Sequence, residues 1–367
     1  MALHREDLPK DVLDALRRGV VIPAHPLALH KDRTLDETRQ RALSRYYIDA
    51  GAGGLAVGVH TTQFAIRDVG LYEPVLRVAA EEMDNWTDRP LIRIAGLCGP
   101  TEQALKEARL ALDLGYHAGL LSLAAFASAG DDEIIAHCRA VAEEIPLVGF
   151  YLQPAVGGRV LSVDFWRRFA GIDNVVAIKI APFNRYRTLD VLRGVVEAGA
   201  ENRIALYTGN DDHIVADLLT PFSIRRGDEM VLVRIVGGLL GHWCAWTSSA
   251  VRLLEQCHAA VARGEIPPAL LAEDARVTDS NAAFFDAAND FAGCIAGCHE
   301  VLRRQGLLEN LVLLDPGEKM SPGQAEELDR VAAAYPDLAD DDFITANLKR
   351  WLDPGSSLAR ARSDKVA

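Results

Sequence analysis

Eight short runs rich in Val, Ile and Leu constrain this chain more than any other feature of its sequence. They begin at Val20 (VVIPA), Leu55 (LAVGV), Leu91 (LIRIA), Gly119 (GLLSL), Leu147 (LVGFY), Val175 (VVAIKI), Arg203 (RIALYT) and Val231 (VLVRIV). Amphipathic segments separate them: 35–50, 69–85, 101–114, 131–143, 162–169, 188–198 and 211–219, with another at 245–263 after the eighth run. Runs that are apolar on both faces and alternate with helices imply parallel strands covered on both sides, hence an α/β protein. Eight such units predict a (β/α)8 TIM barrel rather than an open dinucleotide-binding sheet. The open sheet also lacks its G-x-G-x-x-G, since PAHPLAL follows the first run. Gly237 and Gly238 at the end of the eighth run suggest a phosphate-binding turn only weakly, because no glycine pattern surrounds them.

The barrel accounts for residues 1–265, and a C-terminal helical region is expected over 266–353. Its helices read as 270–289, 291–305, 324–334 and 340–351, with Ser321, Pro322 and Gln324 supplying a helix start. Residues 354–367 read as a disordered tail. The chain has 367 residues, 49% of them hydrophobic and 25% charged, as in an ordinary globular protein. Its net charge of −13 argues against nucleic acid or an anionic membrane as partner, which would need a basic face. A membrane helix needs about 20 apolar residues, and none is present. The N-terminal MALHREDLPKDVLDALRRG has no apolar core, so a cytoplasmic protein is expected. Six scattered cysteines without a C-x-x-C pair fit reduced thiols. Cys294, Cys298 and His299 invite a metal assignment, but their i, i+4 spacing in an Ala/Gly-rich helix reads as packing.

Reactive groups in such barrels gather at the C-terminal ends of the strands. Along 175–180, alternation sets Ala177 and Lys179 on one face and Val176, Ile178 and Ile180 on the other. The branched residues suit the helix side, so Lys179 is expected to point inward. A free lysine is neutral in only about one molecule in 2,500 at pH 7, and burial lowers its pKa. Lys179 is then either a nucleophilic amine poised for a Schiff base or a lysine paired with Asp211 or Asp212. The same alternation along 147–152 sets Tyr151 inward with Gly149, where a phenol could relay protons, or where it simply caps the core.

Tyr151-Leu152-Gln153-Pro154, then Val175-Val176-Ala177-Ile178-Lys179, resembles the Y-x-x-P and V-x-G-I-K elements of the dihydrodipicolinate synthase / N-acetylneuraminate lyase superfamily. Tyr207-Thr208-Gly209-Asn210-Asp211-Asp212 is similar to that family's S-G-D-D turn. The resemblance implies a class I aldolase-like barrel that forms a Schiff base with a 2-oxo acid such as pyruvate or a keto-sugar acid. It implies Lys179 as the Schiff-base lysine, Tyr151 as the proton carrier, and Gly209 beside the substrate. It further implies no organic cofactor or metal, and a homodimer or homotetramer.

Departures from the pattern are as informative. The family's G-T-T-G-E corresponds to Val59-His60-Thr61-Thr62-Gln63, so His60, Thr61 and Thr62 remain as candidates to bind a carboxylate. Phe126 stands where the synthases carry a second tyrosine, and Val156 where they carry an arginine, with Arg159 three residues on. Dihydrodipicolinate synthesis is therefore not the expected activity. A lyase, aldolase or dehydratase on another 2-oxo acid is expected, the alternative being a barrel that binds a small acid without turning it over. His25 and His60 lack an H-x-H spacing, so no metal is assigned to them. Arg185 and Arg187 could meet a distal anion, and His242, Trp243 and Trp246 could line a pocket or an interface.

Overall fold

The computed structural model describes residues 2–356. In chain order the elements are α1 (Lys10–Arg18), β1 (Val21–Pro23), α2 (Glu37–Asp49), β2 (Gly54–Val57), α3 (Tyr72–Asn85), β3 (Ile92–Leu97), α4 (Thr101–Asp113), β4 (Ala118–Leu121), α5 (Asp131–Ala142), β5 (Leu147–Leu152) and α6 (Val163–Ala170). There follow β6 (Val175–Ala181), α7 (Arg185–Glu197), β7 (Ala205–Thr208), α8 (Ile214–Leu219), β8 (Phe222–Arg226), β9 (Glu229–Val233) and β10 (Gly237–Leu240). The helices α9 (Thr247–Arg263), α10 (Pro268–Phe284), α11 (Cys294–Arg304), α12 (Gln324–Ala334) and α13 (Asp341–Leu352) complete the described residues. One parallel sheet of eight strands runs through this alternation, so the fold class is the expected (β/α)8 barrel with C-terminal helices. Residues 357–367, most of the expected tail, lie outside the described residues.

Seven of the eight sequence runs are strands of that sheet; the eighth is not. Val231–Val233 belong to β9, which pairs antiparallel with β8, Phe222 opposite Val233 and Arg226 opposite Glu229. The last strand of the parallel sheet is β10, so Gly237 and Gly238 lie within a strand rather than in a phosphate-binding turn. A Cβ on Gly237 would lie 2.7 Å from the Val20 backbone and from the Tyr207 ring, a close approach that only glycine allows. Composition could not separate a short, glycine-rich buried strand from the more hydrophobic hairpin just before it.

The backbone forms two compact units. The first comprises residues up to 20, then 92–240 and 253–278. In it six strands lie in the order β10-β7-β6-β5-β4-β3. Helix α6 covers β5 with Phe165, Trp166 and Phe169, all buried, and each contributes roughly 1.5–3 kcal/mol by leaving water. Ser162 caps that helix by accepting the Phe165 N–H at 3.0 Å. Tyr207 donates its hydroxyl to Leu16 O of α1 at 2.9 Å.

The second unit comprises residues 21–91, 241–252 and those from 279 onward. Helix α13 packs on α2: the Trp351 indole donates to Asp49 at 2.6 Å, and Arg45 donates to Trp351 O at 2.7 Å and to Glu82 at 2.7 Å. Asp340 accepts from Tyr46 Oη (2.8 Å) and from the N–H groups of Ser248 (2.7 Å) and Ser249 (3.1 Å). Burial raises its carboxyl pKa against that support. At the start of α12, Gln324 Oε1 accepts the Ser321 N–H as a capping box requires. The Ser321 hydroxyl turns instead to Asp286, and the capping position falls to Gly323 at φ +87°. Cys294, Cys298 and His299 are buried on α11.

Candidate active site

Lys179 lies on β6 with its register partners Phe150 on β5 and Tyr207 on β7. Register partners in a parallel sheet present side chains to the same face. The Lys179 ammonium accordingly stands 4.6 Å from the centre of the Phe150 ring, and the residue is only 8% exposed. Ile178 faces the other way: a Cβ on Gly149 would touch it at 3.3 Å and Phe169 of α6 at 2.6 Å. Alternation on β6 therefore runs as expected, with Ala177, Lys179 and Ala181 on the face away from the helices.

Gly209, just past β7, lies against the lysine stem. A Cβ there would approach Cε of Lys179 to 2.7 Å, Cγ to 2.9 Å and the Ala181 Cβ to 2.7 Å. The Gly209 N–H donates to Ile180 O at 2.7 Å, which fixes this approach. A buried carboxylate holds the flanking residues. Asp217 accepts from Thr208 Oγ1 at 2.7 Å, from Asn210 Nδ2 at 2.9 Å and from Arg185. Asn210 also donates to Thr188 Oγ1 at 3.1 Å and accepts the Phe183 N–H at 3.0 Å. Arg185 is thus committed to Asp217, and Arg187 sits 3.2 Å from Asp190.

Tyr151 does not join Lys179. Its ring packs against Trp166 of α6, 5.2 Å between centres, and its hydroxyl accepts the Leu161 N–H at 3.2 Å and donates to Leu161 O at 3.5 Å. Burial raises its pKa. The expected inward phenol is therefore a residue of the helix layer, and Phe150 occupies the place beside the lysine. Between the β5 and β6 ladders the register shifts by one: Leu147 pairs with Val175, but Val148 pairs with Ala177. One extra residue on β6 reverses which β5 side chains share the face of Lys179. Phe126, in the segment after β4, packs at a tilt on His137, 4.3 Å between ring centres, and brings no hydroxyl.

His60, Thr61 and Thr62 lie in the second unit as a 3-10 turn after β2. The Thr62 hydroxyl accepts the N–H of Gly58 (3.0 Å) and Val59 (3.2 Å) and donates to His25 O at 2.6 Å. Its hydroxyl is thus engaged within the loop and on the His25 carbonyl. Thr61 Oγ1 reaches the same carbonyl at 3.4 Å, and the His60 ring lies 6.0 Å from that of Phe64. Gln63 adopts φ +65° and accepts the Leu314 N–H at 2.7 Å. His25 is buried, with Nδ1 2.8 Å from Pro26 O and Nε2 2.9 Å from Ser44 Oγ. Both ring nitrogens are used, and burial lowers its pKa to about 4. His242 and Trp246 pack on Phe284, at 4.8 and 4.9 Å between ring centres.

A (β/α)8 barrel with a buried lysine on its sixth parallel strand defines a class of protein before it defines a member. Residues 18–221 match the dihydrodipicolinate synthetase family, and the chain belongs to that family. It is 28% identical over 193 residues to 4-hydroxy-tetrahydrodipicolinate synthase of Azoarcus sp. (strain BH72), covering 52% of this chain and 63% of that protein. It is 25% identical over 202 residues to N-acetylneuraminate lyase 2 of Escherichia coli O6:H1, covering 54% and 63%. The chain thus spans just under two thirds of the length of these curated relatives. The crystal structure of the chloride-inhibited dihydrodipicolinate synthase of Acinetobacter baumannii, complexed with pyruvate, is similar with a TM-score of 0.68. That similarity has 19% identity and covers 86% of this chain and 98% of that one. Among the described residues no helix is long and apolar enough to cross a membrane.

Proposed function

We propose that this protein is a class I lyase, an aldolase or a dehydratase, that forms a Schiff base between Lys179 and a 2-oxo acid. The observation that carries this reading is the setting of Lys179: buried, against an aromatic face and a glycine that leaves room for its stem. Its amine adds to the ketone carbon, water leaves, and the iminium formed accepts the electron pair when a bond at the neighbouring carbon breaks. Family membership and the pyruvate bound in the Acinetobacter baumannii relative support a small 2-oxo acid as the electrophile. The departures at Phe126 and Tyr151 weigh against dihydrodipicolinate synthesis.

The test is reductive trapping. The protein is incubated with pyruvate and a panel of 2-oxo acids, borohydride is added, and the mass increase is located by peptide mapping. An adduct on Lys179 is expected; its absence with every acid would overturn the proposal. The engaged Thr62 hydroxyl and the turned Tyr151 favour a second reading, a barrel that binds a small acid without turning it over. Saturable binding of pyruvate with no adduct would select it.

A further inference from the structure

The second unit gathers three metal-ligating side chains from two distant segments of the chain. One ligand atom from each of His30, Asp36 and Glu309 lies within 4.8 Å of the others. The first two belong to a hairpin between β1 and α2. Leu29 bridges Leu35, the His30 N–H donates to Thr34 O at 2.9 Å, and the Asp36 N–H donates to Ala28 O at 3.0 Å. Glu309 follows α11, and its segment is tied to the same hairpin. Asn310 Nδ2 donates to Leu29 O at 3.0 Å, and Arg33 Nε donates to Leu313 O at 3.0 Å.

Asp36 is the fixed point of the cluster. It is only 5% exposed, and its Oδ1 caps α2 by accepting the Arg39 N–H at 3.0 Å. Its Oδ2 accepts no hydrogen bond among the described residues. His30 Nδ1 stands 3.8 Å away and Arg39 Nε 3.6 Å, both beyond hydrogen-bond reach. Arg39 directs Nη1 to Gly306 O at 2.5 Å, so Oδ2 keeps its lone pairs for another partner. A buried carboxylate oxygen left in this way asks for an explanation. The 3.8 Å separation falls within the roughly 3–4 Å between two ligands that each stand about 2.1 Å from one ion.

We propose that His30, Asp36 and Glu309 bind a divalent transition-metal cation of the Zn2+ type, with water completing its coordination. One imidazole nitrogen with two carboxylates suits Zn2+ better than Mg2+ or Ca2+, which take oxygen ligands. His30 and Glu309 are exposed, so the ion has a path from solvent. Once bound, it ties the hairpin after β1 to the segment after α11. The site uses no residue of the Lys179 chemistry, so it stands or falls independently of the Schiff-base reading.

The full chain, freed of metal by dialysis against a chelator, is titrated with Zn2+ in the presence of a chromophoric competitor. One equivalent should bind, and a large excess of Mg2+ should not displace it. His30→Ala and Glu309→Gln change exposed side chains outside the helices and strands, so both variants should fold. Each should weaken binding by about a hundredfold, at least the loss that follows removal of a residue supporting a ligand. Co2+ in place of Zn2+ should show no thiolate charge-transfer band, which separates this site from the cysteines. A wild-type chain that binds no Zn2+ overturns the proposal. Binding that either substitution leaves unchanged, or a thiolate band, overturns it as well.

Discussion

Strands β5 and β6 are neighbours of nearly equal length, both buried, yet only one of them presents its faces as simple alternation implies. On β6 the lysine stands where counting by twos puts it, opposite Val176, Ile178 and Ile180. On β5 the same counting puts Tyr151 beside it, and the structure puts Phe150 there. Each strand alternates regularly within itself. What differs is the registry between them, shifted by one residue at the start of the pair. A motif can thus be intact as letters while its side chain belongs to another layer of the molecule.

This contrast can be broken by substitution. The largest effect is expected from Lys179→Met, which should abolish the borohydride adduct entirely; a variant that still trapped pyruvate elsewhere would remove β6 from the chemistry.

Acidification should act next most strongly. Burial lowers the pKa of His25, His137 and His299 to about 4, against 6.5 for the free side chain. The unfolded chain therefore takes up protons first, and stability that is full above pH 6.5 is lost as pH falls toward 4. The loss is on the order of 3 kcal/mol for each fully buried imidazole. Denaturant midpoints at pH 7 and pH 4.5 should show it, and equal midpoints would mean these rings are solvated.

Gly209→Ala places a methyl against the Lys179 stem. Adduct formation should slow by roughly ten- to a hundredfold through misplacement of the amine. Unchanged trapping kinetics would show that the contact yields freely.

Tyr151→Phe should have the smallest effect. It removes the acceptor of the Leu161 N–H and should cost about 1–2 kcal/mol in thermal or denaturant unfolding. Methyl exchange in pyruvate should be unaffected. A hundredfold fall in exchange would restore Tyr151 as the proton carrier and put β5 back in the same relation to Lys179 that its letters suggest.

The fold was legible because it rests on period and order. Branched runs bounded by helical segments mark buried parallel strands wherever the run is long enough, as at Val175–Ala181. It failed at β10, where Gly-Gly-Leu-Leu carries too little side chain to stand out beside the exposed hairpin residues Met230 and Leu232. The lysine was legible because a charged residue within such a run demands a reason. Nothing local to Thr62 reveals that its hydroxyl closes its own loop onto His25.

The sequence by itself determined the strand–helix alternation, the family and the lysine, because these depend on residue type and spacing along one segment. Only the tertiary structure decided which aromatic ring faces that lysine and which glycine lies against its stem. Those depend on the registry of separate strands and on packing between distant segments. A one-residue shift in pairing costs little in local propensity, yet it moves a hydroxyl from one side of the sheet to the other.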